Sequence, residues 1–373
     1  MNNGLSTRRA KYYELSTHLA HIDNEQLQAL FDEGDKTEGW GANHVITLGE
    51  SKIFVKSIPL TEIEYQQMFS TKNLYELPTY YNYGVGSAGF GSFRELVMHI
   101  KTTNWVLAGT IENFPLMYHY RLVPSTRTFT DLDEERFKRY VTYWNSNENI
   151  KTFMLARRQA AYEIILFLEH IPHSLLPWLD KNLDKLELVL KQLWDSIAFL
   201  RGHNIIHFDA NFDNIVTDGE QFYLTDFGLV LDKRFDLTVE ERQFFETHIY
   251  YDYGSILACL DWPIIERYRA LEEADKNKFQ QSLGLDDGAS ERDVLLALSE
   301  NIRQIQTEGW LTLDEKYMGV VLHHQALLQL MNRFYGDLRQ NQQKNTPYPQ
   351  AEIKRLLEEA GILAEKGGPE SGA

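Results

Sequence analysis

The sequence predicts an α+β protein in which a small β-rich part precedes a larger α-helical part. Two observations carry this expectation. Short β-branched and aromatic runs cluster before residue 170, whereas long amphipathic helical patterns fill the chain after Pro172. With 43% hydrophobic and 13% aromatic residues, the 373-residue chain has ample material for a packed core.

Taken in order, Leu15, Leu19, Ile22, Leu27 and Leu30 recur at roughly helical spacing and predict a helical extension over residues 1–38. HVITLG and IFVKSI, separated by a turn over Gly49–Lys52, predict a β-hairpin. A turn-rich stretch then reaches YYNYGVGSAGFGS, whose glycines mark loop. SFRELVMHIKTTNWVLAG predicts a helix with Phe93, Leu96, Val97 and Ile100 on one face. FPLMYHYRLV predicts a long strand or a strand pair, and AYEIILFL an apolar strand. The β-rich part is expected over 39–170, with insertions at 57–90 and 125–160. A helical part over 171–356 opens with LLPWLDKNLDKLELVLKQLWDSIAFLRGHN, which reads as one long amphipathic helix. Residues 357–373 read as a tail, ending in an unstructured GGPESGA.

Charge and cysteine content narrow the function classes. Lys and Arg total 37 against 54 Asp and Glu, a net charge of −17, so neither a nucleic acid nor an anionic membrane is an expected partner. The basic pairs Arg8-Arg9 and Arg157-Arg158 read as solvated helix surface. The single cysteine, Cys259, excludes an intramolecular disulfide and a CxxC metal site, which suits a cytoplasmic protein. The N-terminus lacks the apolar run of a secretory signal, and no 18-residue apolar stretch occurs.

The chemistry concentrates in two strings, HFDANFDN at 207–214 and D-F-G at 226–228, with Asn214 and Asp226 twelve residues apart. A tight turn at Asp218-Gly219 would hold the two acidic groups, Asp209 and Asp226, on facing loops. Together the strings resemble the H-x-D-x-x-x-x-N loop and D-F-G of the protein-kinase-like superfamily, which includes protein kinases and the aminoglycoside and choline phosphotransferases. The resemblance implies a bilobal fold that uses ATP and Mg2+ to move a γ-phosphate to a hydroxyl. It implies that Asp209 orients or deprotonates the acceptor, that Asn214 and Asp226 hold the metal, and that His207 and Asp252 are structural. Lys56 in IFVKSI matches the strand lysine that contacts the α and β phosphates. Glu95 is its expected partner, with Glu62 or Glu64 as the alternatives. Gly39 and Gly41 in GWGANHV resemble the glycine loop over the nucleotide, with His44 where a third glycine is expected. Leu168 stands at the gatekeeper position, and the main chain of Glu169 and Ile171 would meet adenine.

The chain also departs from the pattern. Phe208 replaces the arginine of H-R-D, removing the basic pocket that reads a phosphorylated activation segment. Asn211 occupies the position of a phosphate-binding lysine, leaving the metals or Lys233 to supply that charge. The short run from Gly228 to Asp252 and the lack of A-P-E favour a small acceptor, whereas the intact D-F-G favours a protein acceptor. Three readings follow: a protein serine/threonine kinase of atypical bacterial type, a small-molecule kinase of aminoglycoside or choline type, and a nucleotide-binding pseudokinase scaffold. Retention of Lys56, Asp209, Asn214 and Asp226 argues against the last.

Overall fold

A computed structural model describes residues 3–37, 43–125, 132–286 and 288–363. The N-terminal pattern resolves into two helices, α1 (Asn3–His21) and α2 (Asn24–Glu33), rather than one. Asp23 causes the break. Its carboxylate accepts from the N–H of Gln26 while the Gln26 side chain accepts from the N–H of Asp23, a reciprocal box that starts α2. Leu15, Leu19, Ile22 and Leu27 are buried in the main core, so this segment packs as part of the body.

Next come β1 (Asp35–Thr37), β2 (Asn43–Leu48) and β3 (Ser51–Leu60). The hairpin of β2 and β3 forms as the sequence predicts, turning at Gly49 with φ +61°. β3 continues to Leu60, past the expected start of an insertion at residue 57, because Ser57–Leu60 pair with a later strand. A capping box of Thr61 and Glu64 starts α3 (Glu62–Gln66), and a loop with a 3-10 turn at Thr79–Asn82 leads to α4 (Ser92–Ala108). Gly109, at φ +74°, ends α4. β4 (Met117–Pro124) is one strand with an irregularity between Met117 and His119; α5 (Glu134–Tyr143), α6 (Glu148–Arg158) and β5 (Tyr162–Glu169) follow.

These strands form one antiparallel sheet in the order β1-β2-β3-β5-β4, with β5 buried between β3 and β4. One face packs on α4 through Ile58, Leu60, Phe93, Leu96, Ile164 and Leu166. α1 lies against β4, and the Arg121 guanidinium on β4 donates to the Leu19 carbonyl at 2.6 Å. The segments that read as insertions are not separate decorations. Leu77, Tyr81, Phe90, Trp144, Ile150 and Phe153 join them in a shared apolar cluster.

Beyond β6 (His173–Ser174), the stretch that reads as one long helix is divided into α7 (Leu175–Leu179), a 3-10 turn and α8 (Leu186–Gly202). Asn182 divides it by donating from its side chain to the Trp178 carbonyl at 2.7 Å. Four short strands follow: β7 (Ile205–Ile206), β8 (Ile215–Thr217), β9 (Phe222–Leu224) and β10 (Leu231–Asp232). β8 and β9 form a hairpin flanked by β6, and β7 pairs with β10. The rest is helical, as the pattern predicts: α9 (Val239–Glu246), α10 (Tyr251–Leu257), α11 (Trp262–Arg269), α12 (Glu273–Ser282), α13 (Glu291–Glu300), α14 (Ile302–Glu308), α15 (Glu315–His323), α16 (Gln325–Gln340) and α17 (Gln350–Glu359). No helix among the described residues is long and apolar enough to cross a membrane.

One buried ion pair ties the two halves of the chain. Arg94 on α4 meets Glu241 on α9 at 2.7 Å, both side chains 1% exposed, in a contact whose alignment falls short of a hydrogen bond. Arg94 also donates to the Thr71 carbonyl at 2.8 Å and lies over the rings of Phe90 and Phe235. Removing one partner strands the other charge in a dry site. Glu241→Ala is therefore expected to lower the urea-unfolding free energy by about 3–5 kcal/mol, and Arg94→Met combined with Glu241→Leu to recover most of that loss.

Candidate active site

The site is assembled from β3, α4 and the loops at the open end of the β8–β9 hairpin. The twelve-residue spacing of Asn214 and Asp226 is the length of that hairpin. Ile215 pairs with Leu224, so the residues just outside the two strands are brought side by side. Both the N–H and the hydroxyl of Thr225 donate to the Asn214 carbonyl at 2.9 Å, closing the gap between the loops.

Lys56, on β3 opposite Leu166, sends its ammonium to Glu95 Oε1 at 2.7 Å and to Asp226 Oδ1 at 2.9 Å. The alternatives are engaged elsewhere. Glu64 accepts from Thr61 and from the N–H of Ser92, and Glu62 accepts from Gln66. Burial opposes the charge on Lys56, but the carboxylates of Asp226 and Glu95 outweigh it and raise its pKa. Burial likewise works against an ionised Asp226. The nearby ammonium, with the N–H of Gly228 at 3.2 Å, holds that carboxyl down at about 2.

Asp209 is held on both oxygens. Asn214 Nδ2 donates to Oδ2 at 2.7 Å and to the main-chain carbonyl at 2.9 Å, while Asn211 Nδ2 donates to Oδ1 at 2.9 Å. Burial, reinforced by the charge of Asp226, pushes Asp209 up to about 7. His207 Nδ1 accepts from the N–H of Asp209 at 3.2 Å, which assigns the ring proton to Nε2, donated to the Thr225 carbonyl at 3.0 Å. Burial lowers this imidazole to about 4 and keeps it neutral.

Two non-glycine residues of the site lie in the left-handed region, Phe208 at φ +63° and Asp226 at φ +60°. The first is held from below. Asp252 on α10 accepts from the N–H of His207 at 2.8 Å and from the N–H of Phe208 at 2.9 Å. The Phe208 ring fills an aromatic nest of Phe244, His248 and Tyr251.

Lys233 pairs with Glu246 at 2.7 Å on the surface and lies over Phe245. The N–H of Glu169 donates to the Leu116 carbonyl at 2.7 Å, beside the pairing of β4 with β5, so of its main-chain groups that donor is engaged within the chain. The Glu169 carboxylate accepts from Arg8, with Nη2 at 2.7 Å, and from the N–H of Leu116 at 3.0 Å. Arg8 is thus part-buried and bonded, not solvated surface; it also donates to the carbonyls of Glu112 and Phe114. Leu168 is buried, and Ile171 is half-buried in the link from β5 to β6. Gly39 and Gly41 lie outside the described residues.

One participant goes unread in the sequence. A Cβ built on Gly84 would lie 2.2 Å from Asp209 Oδ1, so the loop after the 3-10 turn presses against this carboxylate. The glycine density of YGVGSAGFG is the only signal, and it reads equally well as an ordinary loop.

Among the described residues no group of three or more His, Cys, Asp or Glu could hold a metal ion. A smaller donor set is present. Asn214 uses its amide nitrogen on Asp209 and Asp226 uses Oδ1 on Lys56, while Asn214 Oδ1 and Asp226 Oδ2 have no hydrogen-bond partner among the described residues. Two hard oxygens, one ionised, fit Mg2+, which takes few protein ligands and completes its shell with phosphate oxygens and water. No known protein-family model matches the chain, and no curated protein matches it.

The brace beneath the loop has a pH signature. Burial, against the two N–H bonds, pushes Asp252 from its ordinary 3.8 up to about 7. The folded state then binds this proton more tightly than the unfolded chain. The stability it contributes is full below about pH 4 and is lost as pH rises through about 7. Asp252→Asn is expected to flatten that decline in urea unfolding between about pH 4 and pH 7; a slope equal to that of the parent protein would contradict the assignment.

Proposed function

We propose that the chain is an ATP-dependent phosphotransferase of bilobal, protein-kinase-like fold, acting on a hydroxyl acceptor. The observation that carries this reading is the Lys56 ammonium bridging Glu95 and Asp226, beside an Asp209 carboxylate bonded to Asn214. A lysine fixed in this way presents a localised positive charge to the α and β phosphates of ATP. Asp226 and Asn214 would hold Mg2+, which neutralises charge on the triphosphate when bound. Asp209 takes the proton of the acceptor hydroxyl as the acceptor oxygen bonds to the γ-phosphorus. The bond from that phosphorus to the β–γ bridging oxygen breaks, and ADP leaves with the electron pair. The N–H of Ile171 is the remaining donor proposed for adenine. Cover by Gly39 and Gly41 rests on the resemblance of GWGANHV alone.

Asn211 does not supply the missing lysine charge, since its amide orients Asp209. The candidates for positive charge on the transferring group are the metal and Lys233. This chemistry is common to the atypical protein-kinase reading and the small-molecule reading.

Asp209→Ala is expected to slow phosphoryl transfer from labelled Mg-ATP by about 10²–10⁴-fold while calorimetric ATP affinity stays near that of the parent protein. Unchanged turnover would remove Asp209 from its role. In Asp226→Ala the gain in ATP affinity on adding Mg2+ is expected to vanish. If the parent protein itself binds ATP equally with and without Mg2+, the metal assignment fails. Lys56→Ala is expected to weaken ATP binding, and Lys52→Ala, at an exposed position on the same strand, to leave it unchanged.

A further inference from the structure

We propose that the acceptor is a small hydroxyl compound rather than a polypeptide, and that Gly84 sets the space by which it reaches Asp209. This inference rests on the phosphotransfer reading above. Its basis is a fixed wall formed by the chain between Thr71 and Gly91.

The wall covers the segment that follows D-F-G along its length. The N–H of Phe90 donates to the Gly228 carbonyl at 2.9 Å, and the N–H of Asp236 donates to Thr71 Oγ1 at 3.0 Å. Further on, Arg94 pairs with Glu241, and the Tyr83 hydroxyl bonds His248 Nε2 at 2.7 Å. A polypeptide acceptor needs an open strip for several extended residues on either side of its reacting hydroxyl, with about 4.8 Å between neighbouring backbones. On this side of Asp209 that strip is already occupied by the protein's own chain.

The wall is also held too firmly to be a flap. The Tyr83 ring is buried against Phe244, Tyr251 and Phe334. The Val85 carbonyl accepts from the Tyr143 hydroxyl at 3.0 Å, and the N–H of Ala88 donates to the Tyr81 hydroxyl at 3.1 Å. Gly84 itself stays exposed. The φ of Gly84 lies outside the left-handed region, so its backbone would accept a side chain. What forbids one is the Asp209 carboxylate, 2.2 Å from the Cβ position. Any side chain at residue 84 must displace either the wall or Asp209, and so disturbs the carboxylate that meets the acceptor.

The test uses the full chain with Mg2+ and γ-labelled ATP. One acceptor set is a serine, threonine and tyrosine peptide library with dephosphorylated casein; the other comprises aminoglycosides, choline, hexoses, nucleosides and glycerol. Label is expected in at least one low-mass alcohol and in neither peptide nor casein. Label in peptide, in casein or in the chain itself, or released only as inorganic phosphate, overturns the inference. Gly84→Ala and Gly84→Val are expected to slow transfer about a hundredfold, with Mg-ATP affinity within about twofold of the parent protein. Gly202→Ala, whose Cβ meets nothing within 4 Å, is the control. Unimpaired transfer in folded Gly84→Val also overturns the inference, and the acceptor comparison on the parent protein stands even if that variant does not fold. Failure of the parent protein to bind Mg-ATP, or transfer that survives Asp209→Ala, defeats the phosphotransfer reading and this inference together. Asp209-dependent labelling of peptide defeats this inference alone.

Discussion

The Lys56 ammonium lies between two carboxylates, and the geometry of the site depends on that placement. Its partners come from different parts of the chain: Glu95 from α4, and Asp226 from the loop after β9. The buried Glu95 carboxylate needs a counter-charge to stay ionised, and the ammonium that supplies it also meets the half-exposed Asp226, drawing the sheet, the helix and the loop to a common point. One cation does not balance the group. Two carboxylates share it, and Asp209 nearby is pushed towards its neutral form by burial and by the charge of Asp226. The local deficit is in positive charge, which a divalent cation would reduce. Asn214 Oδ1 and Asp226 Oδ2, without hydrogen-bond partners among the described residues, lie on adjoining loops of this same cluster.

For Glu95 to reach Lys56, α4 must keep both its position and its rotation. Arg94 and Glu95 are neighbours, and successive helical residues project about 100° apart. One ion pair leads to α9 and the other to β3, so together they fix the roll of the helix as well as its height. The bond from Phe90 to Gly228 ties the start of the helix to D-F-G. Beneath the loop at 207–214, the ring of Phe208 is sealed in an aromatic nest. These are buried, permanent contacts. The arrangement of Lys56, Glu95 and Asp226 is held by the fold itself.

What was legible in the sequence was local. The β2–β3 hairpin follows from β-branched runs around a turn, α4 from its apolar face, and the approach of Asn214 to Asp226 from a spacing that equals one short hairpin. Lys56 stands out as a charge within an apolar strand. The rest depends on partners far apart in the chain. Arg8 reads as surface because the residues around it in sequence are neutral or acidic, yet its partner is the distant Glu169. Lys233 reads as free because Glu246 lies on another element. The segments at 57–90 and 125–160 read as insertions because each is polar or turn-rich alone. Their aromatic residues, Tyr81 from one and Trp144 and Phe153 from the other, form a core only when brought together. Local capping explains the remaining differences: Asp23 and Asn182 each interrupt a helical pattern by bonding the backbone of a neighbouring turn.

Glycine shows why such a reading stops where it does. Gly49 and Gly219 sit at φ +61° and +102°, where a hairpin turn needs a conformation that other residues adopt at a cost. Gly84 has no such need, and its requirement arises from a carboxylate 125 positions further along. In sequence the two kinds of glycine look alike, since a turn and a steric contact leave the same letter. Distance separates them: nothing lies within 4 Å of a Cβ at Gly49, whereas at Gly84 the Asp209 oxygen is already there. The identity of residue 84 and the position of Asp209 are therefore a single constraint, set by the aromatic anchors of the wall and by the two amides that hold the carboxylate in place.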